Sequence, residues 1–292
     1  MDTSIVIRTL NEGRWLPTLL EAVKSQNFAG SVETIIVDSG STDETLAIAN
    51  DHKCRIVHIK KSEFTFGRSL NVGCEAAEGR ALIFISGHCI PADEEWLKKL
   101  VRPLQEGEAE YVYGRQQAHE LTKFSERQLF RKYFPEVTQV PQRDIFCNNA
   151  NSALLRSAWM SNRFDEALTG LEDMELAKRL VAAGGRIGYV ADASVYHIHE
   201  EQWGHIRRRY EREAIALQGI LPDVRVTFGD FIRYFLAGVM LDWSQALQEK
   251  AFGRYAAEIF MFRLMQYWGT YSGNNEHRRI SQRRKEAYFY PR

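Results

Sequence analysis

Four short stretches bring together side chains able to hold charge or move a proton. The first is Ser86-Gly87-His88, at the end of the apolar run Ala81-Leu-Ile-Phe-Ile85. Such a run suits a strand buried on both faces of a parallel sheet, and ligands in open α/β sheets sit just beyond the carboxyl ends of strands. The second is Val37-Asp38-Ser-Gly40-Ser-Thr42-Asp43. An Asp at a strand end, then a glycine turn and a helix start, can bind a nucleotide. The carboxylate accepts from a base N–H or ribose hydroxyl, and the helix N-terminus favours phosphate. The same segment reads equally as a turn in which Asp43 only caps its helix.

The third stretch, Gly170-Leu-Glu172-Asp173-Met-Glu175-Leu176, places carboxylates at a helix start, where the macrodipole stabilises negative charge. On a helix Glu172 and Asp173 diverge by about 100°, while Glu172 and Glu175 share a side. One carboxylate can then face substrate as a general base while its neighbour holds local structure. The fourth is His197-Ile-His199. In a strand both imidazoles point to one face, suited to a ligand or a divalent ion, although one structural and one exposed His accounts for the pattern equally well. Arg207-Arg208-Arg209 with Arg212 can neutralise a diphosphate or pair with Glu211 and Glu213.

The elements that must position these groups alternate. Thr3 to Thr9, Glu33 to Asp38, Cys54 to Ile59 and the run from Ala81 read as strands. Between them lie helical patterns: one capped by Asn11 with Trp15, Leu16, Leu19, Leu20 and Val23 on one face, one opened by Thr42 or Asp43 and running to Asp51, and one from Gly67 to Ala77. Strands and helices alternating at these lengths give βαβ units and a mostly parallel sheet. Further on, Glu110 to Gly114, Ser152 to Leu155, Arg186 to Val190 and Ser194 to His197 read as short strands. Leu121 to Phe134 and the chain after Glu200 read as helical, with Phe228, Phe231, Ile232, Phe235, Val239 and Trp243 on one apolar face and a further helix from Ala251.

The 292 residues are enough for one large domain, or one domain with a helical appendage, and 45% hydrophobic with 26% charged residues is a globular composition. A formal net charge of zero favours neither nucleic acid nor an anionic surface for the chain as a whole. The segment from Asn274 to Arg292 differs, with six Lys/Arg against two Glu. Cys54, Cys74, Cys89 and Cys147 show neither paired nor zinc-type spacing, so they read as reduced thiols of a cytoplasmic protein. No leader pattern is visible, and the apolar stretch from Tyr234 to Leu241 is far short of the ~20 residues that span a bilayer.

The order of the motifs resembles the inverting glycosyltransferases of family 2, which have the GT-A fold. A strand leading to Thr9-Leu10-Asn11-Glu12 is followed by the Asp38 to Asp43 turn, Arg68-Ser-Leu-Asn71, the strand end at Ser86 to His88, Asn149-Ala-Asn151-Ser152, Phe164-Asp-Glu166, Gly170 to Asp173 and a late His. The resemblance covers residues 3–200 and implies an α/β catalytic and nucleotide-sugar-binding domain over 1–200, with a helical extension over 201–292. It implies that Thr9, Glu12 and Asp38 line the base and ribose pocket and that Arg68 lies near the diphosphate. Asn11, Gly40, Asp43, Ser86, Gly87 and His88 complete the donor side, and Asn149, Asn151 and Glu172 the acceptor side. Asp173 matches the family's catalytic base. The implied partners are a nucleoside-diphosphate sugar and a glycan or lipid-linked acceptor, with peripheral membrane contact and a homodimer as further expectations.

The sequence departs from the pattern at one place. Family members hold a divalent cation, Mn or Mg, on an Asp-x-Asp motif, and Ser86-Gly87-His88 stands there without a carboxylate. Three outcomes are open: His88 ligates a metal with His197 or His199; protonated His88 and the Arg207 to Arg209 cluster stabilise the diphosphate alone; or the site is silent. The Ser/His strand end followed by Pro91 and Trp96 is similar to a rhamnosyltransferase-like subgroup of bacterial surface-polysaccharide assembly. The alternatives to a transferase are a catalytically silent sugar-nucleotide or glycan binding module and a nucleotidyltransferase. The last is disfavoured because Leu10 to Arg14 is a poor substitute for a Gly-rich activating loop.

Overall fold

The apolar strands of the first half lie side by side in the computed structural model, which describes residues 1–275. Strand β1 (Thr3–Thr9) is buried along nearly its whole length, because β2 (Val32–Asp38) and β4 (Ala81–Ser86) flank it in parallel. With β3 (Arg55–His58) on the far side of β2, and β5 (Cys89–Pro91), β6 (Tyr111–Ala118), β7 (Asn151–Leu155) and β8 (Ile187–His197), they form one eight-stranded sheet ordered β3-β2-β1-β4-β7-β6-β8-β5. Strand β7 runs antiparallel to both β4 and β6, and β5 antiparallel to β8; the other pairings are parallel. The chain moves from β1 outward to β3 and then returns to β4 on the opposite side of β1. That reversal leaves a crevice at the carboxyl ends of β1 and β4.

Helices α1 (Leu16–Lys24), α2 (Thr45–Asp51), α3 (Phe66–Ala76), α4 (Trp96–Gln105), α6 (Arg156–Ser161) and α7 (Glu172–Ala182) complete this unit, which comprises Met1–His119, Tyr133–Ala167 and Glu172–Ile198. Its main core joins Ile5, Ile7, Ile36, Ile83 and Ile85 of the sheet to Leu16, Leu19 and Leu20 of α1 and to Trp96, Leu97, Leu100 and Val101 of α4. A Cβ on Gly73 of α3 would collide with Val6 and Val37, so glycine there lets the helix lie close on β1 and β2.

The second unit comprises Glu120–Lys132, Leu168–Leu171 and the chain from His199 onward. It contains most of α5 (Phe124–Tyr133), with α8 (Trp203–Ile220), α9 (Phe228–Gln248) and α10 (Phe252–Asn274). Thr227 and Asp230 form a reciprocal capping box at the start of α9. A buried fork of Arg263 onto Asp242, at 2.7 and 2.9 Å, ties α10 to α9. Gly269 and Gly273 bring α10 against the backbone of α8 at Arg207 and Glu211.

Several expectations shift. Asn11 does not cap α1; it takes a left-handed conformation (φ 57°) and accepts the Thr42 amide instead, so α1 begins only at Leu16. The two short strands expected from Arg186 to His197 are one strand, although its pairing with β6 is irregular around the outward-facing Asp192, where the register passes from Gly114 opposite Val190 to Gln116 opposite Val195. On α9 only Phe231, Phe235 and Val239 of the expected apolar face are buried, with Trp243 half-buried, while Phe228 and Ile232 face outward. The basic segment from Asn274 falls outside the described residues beyond Asn275. No described helix is long and apolar enough to cross a membrane.

Candidate active site

Three parallel strands end together. Thr9 sits opposite Asp38, and Arg8 opposite Ser86, so the carboxyl ends of β2, β1 and β4 form one ledge. Asp38 is buried, with its carboxylate accepting from Thr9 Oγ1 at 3.2 Å, from the Gly40 and Ser41 amides at 2.9 and 3.1 Å and from Ser41 Oγ. These bonds curl the loop after β2 back on itself, and Gly40 takes the positive φ (102°) that the curl requires. Asp43 shapes the same ledge, accepting the amides of Gly13 and Thr45. Against the opposing effect of burial, the Thr45 hydroxyl and then these amides hold its pKa below the ordinary carboxylate value. Both residues therefore organise the loop after β2 at the strand ends.

Glu12 and the turn after β4 are packed together. Gly87 leaves no room for a side chain, since a Cβ there would stand 2.8 Å from Glu12 Cγ. His88 Nδ1 lies 3.0 Å from Glu12 Oε1, and its ring stacks on His197 with centroids 5.2 Å apart. His197 Nδ1 in turn lies 2.6 Å from Gln116 Oε1, while Gln116 Nε2 donates to Asn148 Oδ1 at 2.9 Å. With Nδ1–H donating to an oxygen in each ring, a neutral imidazole carries its lone pair on Nε2. Metal-ligating histidines are oriented in this way. The two stacked imidazoles offer nitrogen donors of a kind that suits a divalent ion, without the carboxylates of an Asp-x-Asp pair.

The loop that reaches Gln116 also reaches Asp173. The Asn149 amide donates to Asp173 Oδ2 at 2.9 Å and the Met174 amide to Oδ1 at 2.8 Å. Tyr111 OH and Ser152 Oγ both donate to Asn149 Oδ1, at 2.6 and 2.7 Å, and Asn149 Nδ2 is buried without a hydrogen-bond partner among the described residues. Glu172 is taken up by Arg8, whose Nη1 lies 3.3 Å from Glu172 Oε1. Burial, and next the Glu172 carboxylate, push Asp173 up to about 7, against the pull of the two amides and of Arg8. A carboxylate near 7 is poised to take a proton at neutral pH.

Other expected residues are engaged elsewhere. Asn151 is fully buried and cannot face an acceptor: it accepts from Trp96 Nε1 at 2.9 Å and donates to the carbonyls of Arg115 and Ala193 at 3.1 and 2.8 Å. Arg68 bridges Glu166 and Glu63 at 3.3 and 3.4 Å from the start of α3. Strand β8 stops at His197, so strand alternation does not orient His199, which belongs to the second unit. There its Nδ1 lies 2.8 Å from Glu126 Oε1. Glu126, His199 and Glu201 are close enough for an ion, but Arg209 stands 2.6 Å from Glu126 and 2.8 Å from Glu201 and supplies the positive charge itself. Burial opposes the ionisation of Glu126, yet His199 and Arg209 hold it down at about 2. Arg209 is thereby spent on Glu126 and Glu201 rather than on Glu213. Arg8, Gln116, Asn148 and Tyr111 were not among the expected site residues. The signal for Arg8 and Gln116 was a polar side chain inside an apolar strand.

Comparison with known proteins bears on the family and the fold. The family model for glycosyl transferase family 2 matches residues 4–164. The O-antigen chain rhamnosyltransferase RfbN of Salmonella typhimurium is 28% identical over 212 residues, covering 68% of this chain and 67% of that one. The poly(ribitol-phosphate) beta-N-acetylglucosaminyltransferase TarS of Staphylococcus aureus is 23% identical over 219 residues, and the match spans only 38% of its length. Among solved structures, the mannosyltransferase PcManGT of Pyrobaculum calidifontis in complex with GDP-Man and Mn2+ superposes with a TM-score of 0.65 at 13% identity, covering 94% of this chain and 88% of that one. A TarS fragment in complex with UDP-GlcNAc gives 0.56 at 15% identity, covering 96% and 95%. The fold is therefore GT-A, as expected, and by a family match over more than half its length the chain belongs to glycosyl transferase family 2 and is a glycosyltransferase.

Proposed function

We propose that the chain is an inverting transferase that moves a sugar from a nucleoside-diphosphate donor to a hydroxyl of a glycan or lipid-linked acceptor in bacterial surface-polysaccharide synthesis. The observation that carries this reading is the division of labour between adjacent carboxylates: Glu172 is tied to Arg8, while Asp173 is held by two backbone amides with its pKa raised to about 7. An acceptor hydroxyl would give its proton to an Asp173 carboxylate oxygen as its own oxygen forms the new bond to the anomeric carbon. The bond from that carbon to the diphosphate oxygen breaks on the opposite face, so configuration inverts. Asn149, held through its Oδ1 by Tyr111 and Ser152, would offer its unpartnered amide N–H2 to the acceptor sugar.

The loop built on Asp38 and Asp43 would receive the base and ribose, with Thr9 and Glu12 alongside. His88 and His197 would hold a divalent cation, which when bound would neutralise the leaving diphosphate. The similarity to RfbN supports a deoxyhexose donor of the rhamnosyl class. The test is transfer from dTDP- and UDP-sugars to a polyprenyl-linked glycan by the Asp173→Asn variant. Loss of transfer with retained donor binding is the expected result, and transfer at the normal rate would show that Asp173 is not the base. Donor binding without turnover in the parent protein would favour the silent binding module.

A further inference from the structure

Tyr111 and Tyr113 lie on one face of β6, while Val112 between them belongs to the main core on the other. Tyr111 donates to Asn149, whose backbone amide holds Asp173. The Tyr113 ring meets Tyr189 of the neighbouring β8 at 5.0 Å and Phe146 edge-on at 5.4 Å. Tyr133 in turn stacks on Phe146, with centroids 5.8 Å apart and planes inclined by 23°. Burial falls along this row: Tyr189 and Tyr113 are buried, Phe146 is half-buried and Tyr133 is 47% exposed. The inner two rings are core. The outer two present aromatic surface at the rim, and the three residues of chain from Phe146 to Asn149 keep them within roughly 11 Å of each other.

An ion pair borders the row. The Tyr189 hydroxyl donates to the Pro135 carbonyl at 2.6 Å, and the next residue, Glu136, accepts from Arg115 Nη2 at 2.8 Å. The Glu136 side chain is 80% exposed, so the pair adds little to stability, and both groups keep hydrogen-bonding capacity beyond their mutual bond. Aromatic surface beside planar charged groups suits a pyranose: its C–H face packs on a ring, and its hydroxyls bond to the carboxylate and the guanidinium. A lipid chain in the same place would take water from the pair and return no hydrogen bond. The nucleotide side lies elsewhere, because the ledge of β1, β2 and β4 is separated from β6 and β8 by β7 in the sheet order.

We propose that Tyr133 and Phe146, with Arg115 and Glu136, bind a sugar unit of the acceptor glycan by ring stacking and hydrogen bonds to its hydroxyls. The proposal rests on the transferase reading, which brings the acceptor to Asp173. Short oligosaccharides of galactose, of mannose and of rhamnose are titrated into the full-length chain with UDP present. Binding is read by saturation-transfer NMR, which needs no turnover. At least one series should bind, with saturation reaching the ring C–H protons. Tyr133→Ala should weaken that binding about fivefold or more, and Tyr133→Phe should leave it unchanged, since the ring face is kept. Glu136→Ala should weaken it about threefold or more, as a lost hydrogen bond implies. UDP affinity and thermal unfolding should stay at the parent values in all three variants. No binding by the parent, equal affinity in Tyr133→Ala, or an equal loss of UDP affinity in that variant overturns the subsite. The base is tested apart from it: Asp173→Asn should bind the oligosaccharide and fail to extend it. Normal transfer by Asp173→Asn overturns the transferase reading of that base, whereas unchanged affinity in Tyr133→Ala overturns the subsite alone.

Discussion

Arg8 and Glu172, 164 residues apart in sequence, meet at 3.3 Å, and among the described residues their pairing leaves the adjacent Asp173 as the carboxylate without a cationic side-chain partner of its own. Arg8 lies over the Phe66 ring at 5.1 Å, which fixes the guanidinium on the side of Glu172. Arg8→Met would leave the Glu172 charge uncompensated beside Asp173, and like charges raise a carboxyl pKa. The acid limb of the pH–rate profile should move to higher pH. Activity at pH 7 should fall about fivefold, the loss of ionised base when a midpoint near 7 rises by about 1.4 kcal/mol of proton affinity. Steady-state rates from pH 5.5 to 9 check this.

Asp173→Asn should lower the transfer rate by about 10²- to 10⁴-fold, the range for a lost general base. Its effect on stability has the opposite sign. The unfolded chain ionises Asp173 from about its ordinary 3.8 upward, while the folded chain keeps the proton to about 7. The fold therefore loses stability as pH rises across that window and no further above it. The Asn variant lacks this slope. The difference in melting temperature, variant minus parent, should be more positive at pH 8 than at pH 4.5. A difference that does not change with pH would contradict the raised pKa.

The two stacked histidines give a third expectation. His88→Ala removes a ring that Glu12 orients at 3.0 Å and should weaken nucleoside-diphosphate affinity by about tenfold or more where Mn is present, as loss of a ligand or of its positive charge implies. Gln116→Ala, which frees the His197 ring to rotate, should have a smaller effect in the same direction. Titration calorimetry with UDP and dTDP, with Mn and with EDTA, separates the two. Identical affinities in the parent protein under both conditions would exclude a metal contribution to nucleotide binding.

Asn151→Ala should behave as a structural lesion. It strands the Trp96 indole N–H and the Arg115 and Ala193 carbonyls inside the sheet, where each unsatisfied group costs about 1–3 kcal/mol. A fall of several degrees or more in melting temperature is expected, with the Michaelis constant for the donor unchanged in the protein that remains folded. A selective change in acceptor affinity would instead return Asn151 to the site.

The strands, the helices behind them and the strand ends at Thr9, Asp38 and Ser86 were legible in the sequence, because apolar periodicity and glycine turns are local signals. That Glu172 and Asp173 point apart and take different partners was legible too, since helix geometry alone turns them apart. Partnership was not. Arg8 finds Glu172, Gln116 finds His197 across 81 residues, and Asn151 is consumed by Trp96 and two carbonyls, all through a sheet register that no local pattern encodes. The outward-facing Phe228 and Ile232 of α9 escaped for the same reason: a helix apolar on more than one side does not declare which side is covered. Residue type and spacing determined what chemistry the chain carries. Only the tertiary structure decided which polar groups remain for substrate, because long-range hydrogen bonds and burial compete for the same atoms.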